Sequence, residues 1–200
     1  MSGEQHPRAW QRMLSGRRLD LLAPSPSGIE IEDIAHGLAR VARWNGQTKG
    51  DHPFSVAQHS LLVTDIVALT TPDASRPLLL AALLHDAPEY VIGDLISPFK
   101  SAIGLDYKTF ELQLLGAIHE RFGLQRTLDE TSCEAIKNAD KIAAFIEATE
   151  LAGFSVEEAQ TVFKHSEKRR ISIANLVIKP MTTNLAERLF LSRFKNYLNT

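Results

Sequence analysis

The 200-residue sequence lacks several features that define whole classes of protein. Its single cysteine, Cys133, excludes a disulfide within the chain, as is typical of a protein from a reducing compartment. No apolar run approaches the roughly 20 residues that a membrane-spanning helix needs, and residues 1–18 contain no apolar segment typical of a signal peptide. A net charge of -2 provides no overall basic field for nucleic acid or anionic lipid. We therefore expect a cytoplasmic protein without a nucleic-acid or membrane partner.

Several familiar catalytic motifs are also absent. The sequence has no glycine-rich phosphate loop, and no Ser-His-Asp arrangement is visible. His119-Glu120 resembles the start of the zinc-protease helix motif, but Gly123 stands where that motif requires a second histidine. We expect His119-Glu120 to be an exposed dipeptide. Cys133 has no evident electropositive setting that would make it a nucleophile.

What the sequence does contain is a 3.6-residue hydrophobic periodicity, with 44% apolar residues to build a core. This predicts a mainly helical single domain, preceded by an arm over residues 1–30 that has one helical turn near Trp10. Ser55 and Gln58 form a possible capping box for the second helix, and residues 131–134 form another for the fifth. The predicted helices cover residues 31–44, 55–69, 77–87, 107–122, 131–153, 155–164 and 185–198, and a weak alternation over 171–178 predicts one short strand.

The most informative feature is His85-Asp86, at the end of an apolar run that begins at Pro77. Because the run has no polar face, the imidazole and the carboxylate must be buried, where an unpaired charge is costly. A divalent cation would satisfy both, since neutral histidine and ionised aspartate are good ligands. Pro88 lacks the amide hydrogen that would continue the helix, so we expect a break just before it that changes the direction of Glu89.

Two further candidate ligands lie on other predicted helices. His59 falls in the first turns of the helix that starts near residue 55, and Asp140 lies on the apolar face of the fifth helix. Taken singly, a core histidine is usually hydrogen-bonded rather than metal-bound, and Asp140 could pair with a neighbouring lysine. Together with His85 and Asp86, they make a mixed nitrogen and oxygen set that leaves metal positions open for water, as catalytic sites do.

The order of these residues resembles the HD-domain superfamily of metal-dependent phosphohydrolases, which is named for its His-Asp doublet. The surrounding sequence segments are similar to those of the bacterial 5'-deoxynucleotidase branch, and the similarity covers roughly residues 31–150. The matching segments are Arg43-Trp44, Val56-Ala-Gln-His59-Ser60, Leu83-Leu-His85-Asp86-Ala-Pro-Glu89, Gly93-Asp94-Leu-Ile-Ser-Pro98-Phe-Lys100 and Asn138-Ala-Asp140-Lys141.

The resemblance implies an all-α fold, a single HD-type helical bundle over residues 31–200 that follows the N-terminal arm. It implies one divalent metal ion from the group Mn, Co, Fe, Ni, Zn and Mg, a nucleotide substrate and a homodimer. The roles that it implies are metal binding for His59, His85, Asp86 and Asp140, catalysis for Glu89 and Asp94, and nucleotide contact for Arg43 and Trp44.

Hydrolysis of a phosphomonoester needs more than a metal. A carboxylate must orient or deprotonate the attacking water, and Glu89, four residues after His85, is our first candidate. Asp94 is the best placed acid for the departing 5'-oxygen, although the sequence would also allow the two roles to be exchanged. The charged phosphoryl oxygens need a cation, for which Arg43 is the first candidate and Lys100 the second.

Each of these residues also has a simpler structural interpretation. Glu89 could be a surface carboxylate, Asp94 a turn residue and Lys100 a solvated side chain. Arg43 could stabilise the C-terminus of a helix, and Trp44 could be a core or lid aromatic rather than a sugar or base contact.

We therefore expect a phosphomonoester hydrolase that releases phosphate from 5'-deoxynucleoside monophosphates through attack of a metal-activated water. Close alternatives keep the site but act on another nucleotide or a small phosphate ester. Alternatives from other classes are a non-catalytic module that binds metal and nucleotide, and a di-iron oxygenase of the HD type. The oxygenase would need extra histidine or aspartate ligands for a second metal, and the sequence does not indicate where they would lie.

Overall fold

The computed structural model describes residues 9–95, 105–163, 176 and 178–198, and it is mainly helical, as the periodicity predicts. These residues form eight α-helices and one pair of short strands. Among these eight helices, none has the length and apolar character needed to cross a bilayer. The helices are α1 (Ile31–Leu38), α2 (Val56–Thr70), α3 (Arg76–Leu83), α4 (Glu89–Ile92), α5 (Leu105–Arg121), α6 (Glu130–Glu150), α7 (Val156–Phe163) and α8 (Thr183–Leu198).

A small hairpin stands where a helical turn was predicted near Trp10. Strand β1 (Trp10–Arg12) pairs antiparallel with strand β2 (Arg18–Asp20). The guanidinium groups of Arg12 and Arg18 lie 5.4 and 4.5 Å from the centroid of the Trp10 ring. The prediction of a helical turn was wrong. Contacts between cationic side chains and the Trp10 ring favour the paired strands, and the local hydrophobic periodicity does not indicate such contacts.

Two apolar clusters form the core. One joins the hairpin to α1, α5 and α8, and the other lies between α2, α3 and α6. Helix α2 packs against α3, α6 and α8, so it is covered on several sides. Its burial explains why a histidine in its first turn lies inside the protein, since His59 has no exposed surface.

The helix predicted over residues 31–44 is correct only in its first half, because α1 ends at Leu38. Ala42 instead pairs with Ser55 in an isolated β-bridge. This pairing requires extended backbone, which a continuing helix could not supply. The chain therefore leaves the helix before it reaches the two residues expected to contact a nucleotide.

The predicted capping box of α2 is half correct. Ser55 caps the helix by accepting the amide hydrogen of Gln58 at 3.3 Å, and the helix ends at Thr70, close to the predicted end. The Gln58 side chain does not return to the cap. It donates to the carbonyl of Lys179 at 3.1 Å and accepts the amide of Met181 at 3.2 Å, which ties the start of α2 to the segment before α8.

The apolar run forms α3, but this helix stops at Leu83, earlier than predicted. His85 and Asp86 therefore lie in the turn between α3 and α4, and Pro88 occupies the position just before α4, which starts at Glu89. Consecutive residues of an α-helix do not face the same side. Leaving the helix allows the side chains of His85 and Asp86 to approach one another.

Helices α5 and α6 lie close to their predicted positions, with two corrections. His119 is only 2% exposed, so the prediction of an exposed dipeptide is wrong for its first residue and correct for Glu120. The capping box expected at residues 131–134 is also wrong. Asp129 caps α6 by accepting the amide hydrogen of Ser132 at 2.9 Å, so the helix begins earlier than predicted.

The predictions for the C-terminal third are tested in part. Helices α7 and α8 lie within two residues of the predicted ranges. The strand predicted over residues 171–178 lies outside the described residues, apart from Leu176 and Ile178, which pack against the cluster between α2, α3 and α6.

Candidate metal centre

The four predicted ligands converge, although they come from three separate parts of the chain. His59 lies in the first turn of α2, and Asp140 lies in the middle of α6. The Nε2 atom of His59 is 3.1 Å from Oδ1 of Asp140 and 3.4 Å from Oδ2 of Asp86. The same Oδ2 atom is 3.3 Å from Nε2 of His85. The four side chains that the sequence singled out therefore lie within contact distance of at least one other member of the group.

These distances fit a single metal ion. Bonds of about 2.1 Å from a metal to nitrogen or oxygen place neighbouring ligand atoms about 3.0 to 3.4 Å apart in octahedral or tetrahedral geometry. His59, His85 and Asp140 each offer one ligand atom, and these atoms all lie within 4.8 Å of one another. Asp86 adds a fourth ligand atom by the contacts given above. The group is compact enough to hold a divalent cation.

The hydrogen bonds of the two imidazole rings support the same interpretation. Both Nε2 atoms are buried, and no described residue completes a hydrogen bond with either. The Nδ1 atom of His85 is 2.8 Å from the carbonyl oxygen of Ala82, and Nδ1 of His59 is 2.5 Å from Oε1 of Glu147. A hydrogen bond donated from Nδ1 leaves the lone pair on Nε2. A metal ion would satisfy these two buried nitrogens, which otherwise carry a desolvation cost.

The carboxylates around His59 favour a positive charge at its imidazole ring. Burial and the nearby Arg43 guanidinium both disfavour a charged imidazole. The carboxylates of Glu147, Asp140 and Asp86 outweigh these two effects and hold the pKa of His59 well above its usual range. In the absence of a metal, a proton on His59 therefore supplies the positive charge that a cation would bring.

The carboxylates of the cluster are ionised. Burial raises the pKa of Asp86, but the His85 and His59 rings lower it by a larger amount. The pKa of Asp86 therefore lies well below its usual range. The pKa of Asp140 is also lowered, because the close approach of Nε2 of His59 and the charge of that ring outweigh burial. Ionised carboxylates are the form that binds metal. The Asp140 side chain is 41% exposed, so the cluster is open on this side.

Sequence reasoning missed Glu147, which is completely buried. Its carboxylate contacts Nδ1 of His59, accepts the indole N–H of Trp44 at 3.0 Å and lies 3.4 Å from Nε of Arg43. A signal was present, since Glu147 follows Asp140 by seven residues and two helical turns span about 7.2 residues. The argument that directed Asp140 inward applies equally to Glu147.

Arg43 lies beside the cluster and is largely buried, with 14% of its side chain exposed. Its Nη1 atom lies 3.1 Å from Oδ2 of Asp94, and its Nε atom faces Glu147. Burial lowers the pKa of Arg43, but the carboxylates of Glu147 and Asp94 outweigh burial and raise it. The interpretation as a helix C-terminal cation is wrong, because α1 ends at Leu38 and Arg43 contacts carboxylates.

Trp44 is half-buried in a local conformation that is rare for residues other than glycine. Trp44 and Asn45 both adopt left-handed backbone conformations, with φ of 57° and 50°. The Trp44 ring packs against Phe154 and Phe163, with centroid distances of 5.7 and 6.1 Å. Its indole N–H donates a hydrogen bond to Glu147. Contact with a substrate would therefore use the ring face.

The remaining predicted site residues differ in their outcome. Glu89 is 1% exposed, so its interpretation as a surface carboxylate is wrong. Its charge contributes to the raised pKa of Arg43, after larger contributions from other carboxylates, which places Glu89 within electrostatic reach of the site. Asp94 is held by Arg43 and is 7% exposed. Lys100 lies outside the described residues.

The comparisons with known proteins identify a relative of this chain, but they assign no function to it. No protein-family model matches the chain. An uncharacterized protein of Rhodobacter capsulatus is 59% identical over 156 residues, which cover 78% of this chain and 80% of that protein.

Proposed function

We propose that this chain, which belongs to the same family as the uncharacterized Rhodobacter capsulatus protein, is a metal-dependent phosphohydrolase of the HD type that releases phosphate from 5'-deoxynucleoside monophosphates. The observation that carries the proposal is the convergence of two imidazoles and two carboxylates beside a buried arginine. The metal ligands are His59, His85, Asp86 and Asp140. The motif resemblance supplies the substrate class.

The ligand set suits hydrolysis better than a purely structural role. Structural sites for metals such as zinc are closed to solvent and are rich in cysteine. This cluster contains no cysteine, and it is open to solvent at Asp140. When bound, a divalent ion supplies a Lewis acid that lowers the pKa of water and neutralises charge on phosphoryl oxygens. The described residues contain one group of this kind, which supports one ion per chain rather than the pair of a di-iron oxygenase.

Glu89 is the proposed general base. Its carboxylate is buried, begins α4 and follows His85 by four residues, so it lies beside the turn that carries two of the ligands. A carboxylate shielded from solvent can accept a proton from the attacking water. Asp94 is the proposed acid at the departing 5'-oxygen. It is ion-paired with Arg43, so in the reaction it would first take up the proton that Glu89 accepts from the attacking water and then pass this proton to the leaving oxygen.

Arg43 is the proposed phosphate clamp. A guanidinium group has five N–H donors, and the contacts with Asp94 and Glu147 engage only its Nη1 and Nε atoms in the described part of the chain. These two carboxylates fix the orientation of the group and keep it charged. The donors that remain can bind phosphoryl oxygens.

A test of this proposal measures phosphate release by the purified full chain in the presence of Mn, Co or Mg. The substrates are the 5'-mono- and triphosphates of deoxynucleosides and ribonucleosides. We expect turnover of the deoxynucleoside monophosphates to exceed that of the other compounds, and a metal content of one ion per chain. Equal turnover of the ribose and deoxyribose compounds would reject the assigned substrate class.

Two variants make the same experiment specific to the cluster. Asp140→Asn removes a ligand charge, so phosphate release and metal content should both fall. Asp51→Asn makes the same change at an exposed position outside the cluster, and it should leave both unchanged. Nucleotide binding without any phosphate release from the metal-loaded wild-type chain would favour the non-catalytic module.

A further inference from the structure

A cavity of about 240 Å³ lies directly beside the proposed metal centre. His85 and Asp140 form one part of its wall, so the cavity and the metal cluster share two side chains. The other lining residues come from α3, α5, the connection after α5, and α6: Ala81, Leu115, His119, Leu128, Cys133, Ile136 and Lys137. A molecule that contacts the metal can therefore extend into this space.

His119 is the buried polar group of the cavity. It is 2% exposed, and neither ring nitrogen has a hydrogen-bond partner among the described residues. Burial lowers the pKa of His119, and backbone groups of Arg126 and Gln125, which lie near the ring without forming a well-aligned hydrogen bond, oppose this only in part. The neutral ring offers one donor and one acceptor. A buried imidazole whose two nitrogens are unsatisfied carries a desolvation cost that a ligand can remove.

The size and the walls of the cavity narrow the class of ligand. Small-molecule pockets usually have volumes of about 300 to 1,000 Å³, so this space suits one flat ring system better than a whole nucleotide. Leu115, Leu128 and Ile136 provide apolar walls for the faces of such a ring. His119 provides the polar contact for its edge.

We propose that this cavity binds the nucleobase of the substrate and that His119 hydrogen-bonds the edge of the base. The inference rests on the proposed function, because the phosphate of the same molecule would lie at the metal centre. His119 is thus a substrate-binding residue rather than part of the reacting group. Base preference would follow from the hydrogen-bond pattern that this imidazole accepts.

Binding of deoxynucleosides, which carry no phosphate, tests the cavity independently of catalysis. We would titrate deoxyadenosine, deoxyguanosine, deoxycytidine and thymidine into the metal-loaded full chain by calorimetry. At least one should bind saturably. His119→Leu should weaken that binding about tenfold or more, because the base edge loses its partner. His119→Gln keeps a donor and an acceptor, so it should retain more of the affinity.

Two further variants separate loss of the cavity from loss of the fold. Leu115→Phe grows into the open space and should block binding while His119 stays in place. His52→Leu makes the same chemical change as His119→Leu at an exposed position and should have no effect. Melting temperatures show whether each variant is folded.

The outcomes distinguish this inference from the proposed function. If no deoxynucleoside binds to the wild-type chain, or if folded His119→Leu and Leu115→Phe both bind like wild type, the cavity assignment is wrong. Nucleoside binding without phosphate release would retain the assignment and reject the hydrolase. In an active enzyme, His119→Leu should raise the KM for the nucleotide, whereas His52→Leu should leave it unchanged.

Discussion

Glu147 Oε1 lies 2.5 Å from Nδ1 of His59 in the interior of the protein, and the two residues are 88 positions apart. This contact orients the imidazole so that Nε2 faces the other proposed ligands. Replacing Glu147 with Gln should weaken metal affinity about 10- to 100-fold, the usual effect of losing a carboxylate behind a histidine ligand. Calorimetric titration with Mn or Zn measures the change.

A control on the same helix shows whether charge alone explains the effect. Glu150→Gln removes one negative charge at an exposed position three residues further along α6, and it should leave metal affinity unchanged. If Glu147→Gln binds metal as tightly as the wild-type chain, the assigned orientation of His59 has no functional consequence.

Glu89→Gln should separate metal binding from catalysis. The amide is close in size to the carboxylate but cannot accept a proton from water. We expect an unchanged metal content and a loss of turnover of about 10²- to 10⁴-fold, the range for removal of a general base. Metal analysis and phosphate release on the same sample provide the measurement. Retained turnover would assign the base to another residue, with Asp94 the next candidate.

Metal binding should release a proton from His59. The pKa of His59 is raised in the metal-free protein, so its stabilising contribution is complete below the unfolded value of about 6.5 and is lost as the pH rises through the folded value. The metal-free melting temperature should therefore decline over this window. Since the metal replaces the proton, the stabilisation gained from metal should grow with pH.

The measurement compares melting temperatures between pH 6 and pH 9 with Mn and with a chelator. Calorimetric titration in two buffers of different ionisation enthalpy counts the released protons. Binding enthalpies that do not depend on the buffer would contradict a protonated His59 in the metal-free state.

Gly37 on α1 allows α4 to approach closely. A Cβ atom at this position would lie 2.7 Å from Cβ of Tyr90 and 3.1 Å from its carbonyl oxygen. Gly37→Ala should therefore destabilise the fold by about 1 to 3 kcal/mol. It should also reduce turnover more than metal affinity, because displacement of Tyr90 moves the adjacent Glu89. Urea unfolding and metal titration provide the two measurements.

Gly116→Ala is the matched control for this substitution. The three atoms nearest to the added Cβ would all belong to the side chain of Arg126, which is exposed and can move. We expect stability close to that of the wild-type chain. A Gly37→Ala protein as stable as Gly116→Ala would show that the contact between α1 and α4 adapts at little cost.

The proposed ligands could be identified from the sequence because each one interrupts an apolar pattern. His59, His85 and Asp140 each stand where periodicity places a residue in the core, and a polar group in the core needs a partner. Glu147 satisfies the same test, because the seven-residue spacing puts it on the same face of the helix as Asp140. The periodicity therefore contains the signal for Glu147, although no motif marks it.

Other features depend on contacts between distant parts of the chain. The apolar periodicity continues beyond Leu38, yet the helix ends there because Ala42 pairs with Ser55. The Gln58 side chain binds the backbone of Lys179, 121 residues away, in place of the local cap. Local pattern cannot reveal such partners, since tertiary contacts outweigh weak local propensities.

The presence of Asp140 and Glu147 on one helix constrains how this protein can evolve. Inserting or deleting a single amino acid between them would rotate one by about 100° relative to the other, separating a ligand from the group that supports its neighbour. Changes in length are therefore excluded from these two turns of α6. A change in the proposed metal ion would then have to come from substitution, with the spacing of seven residues preserved.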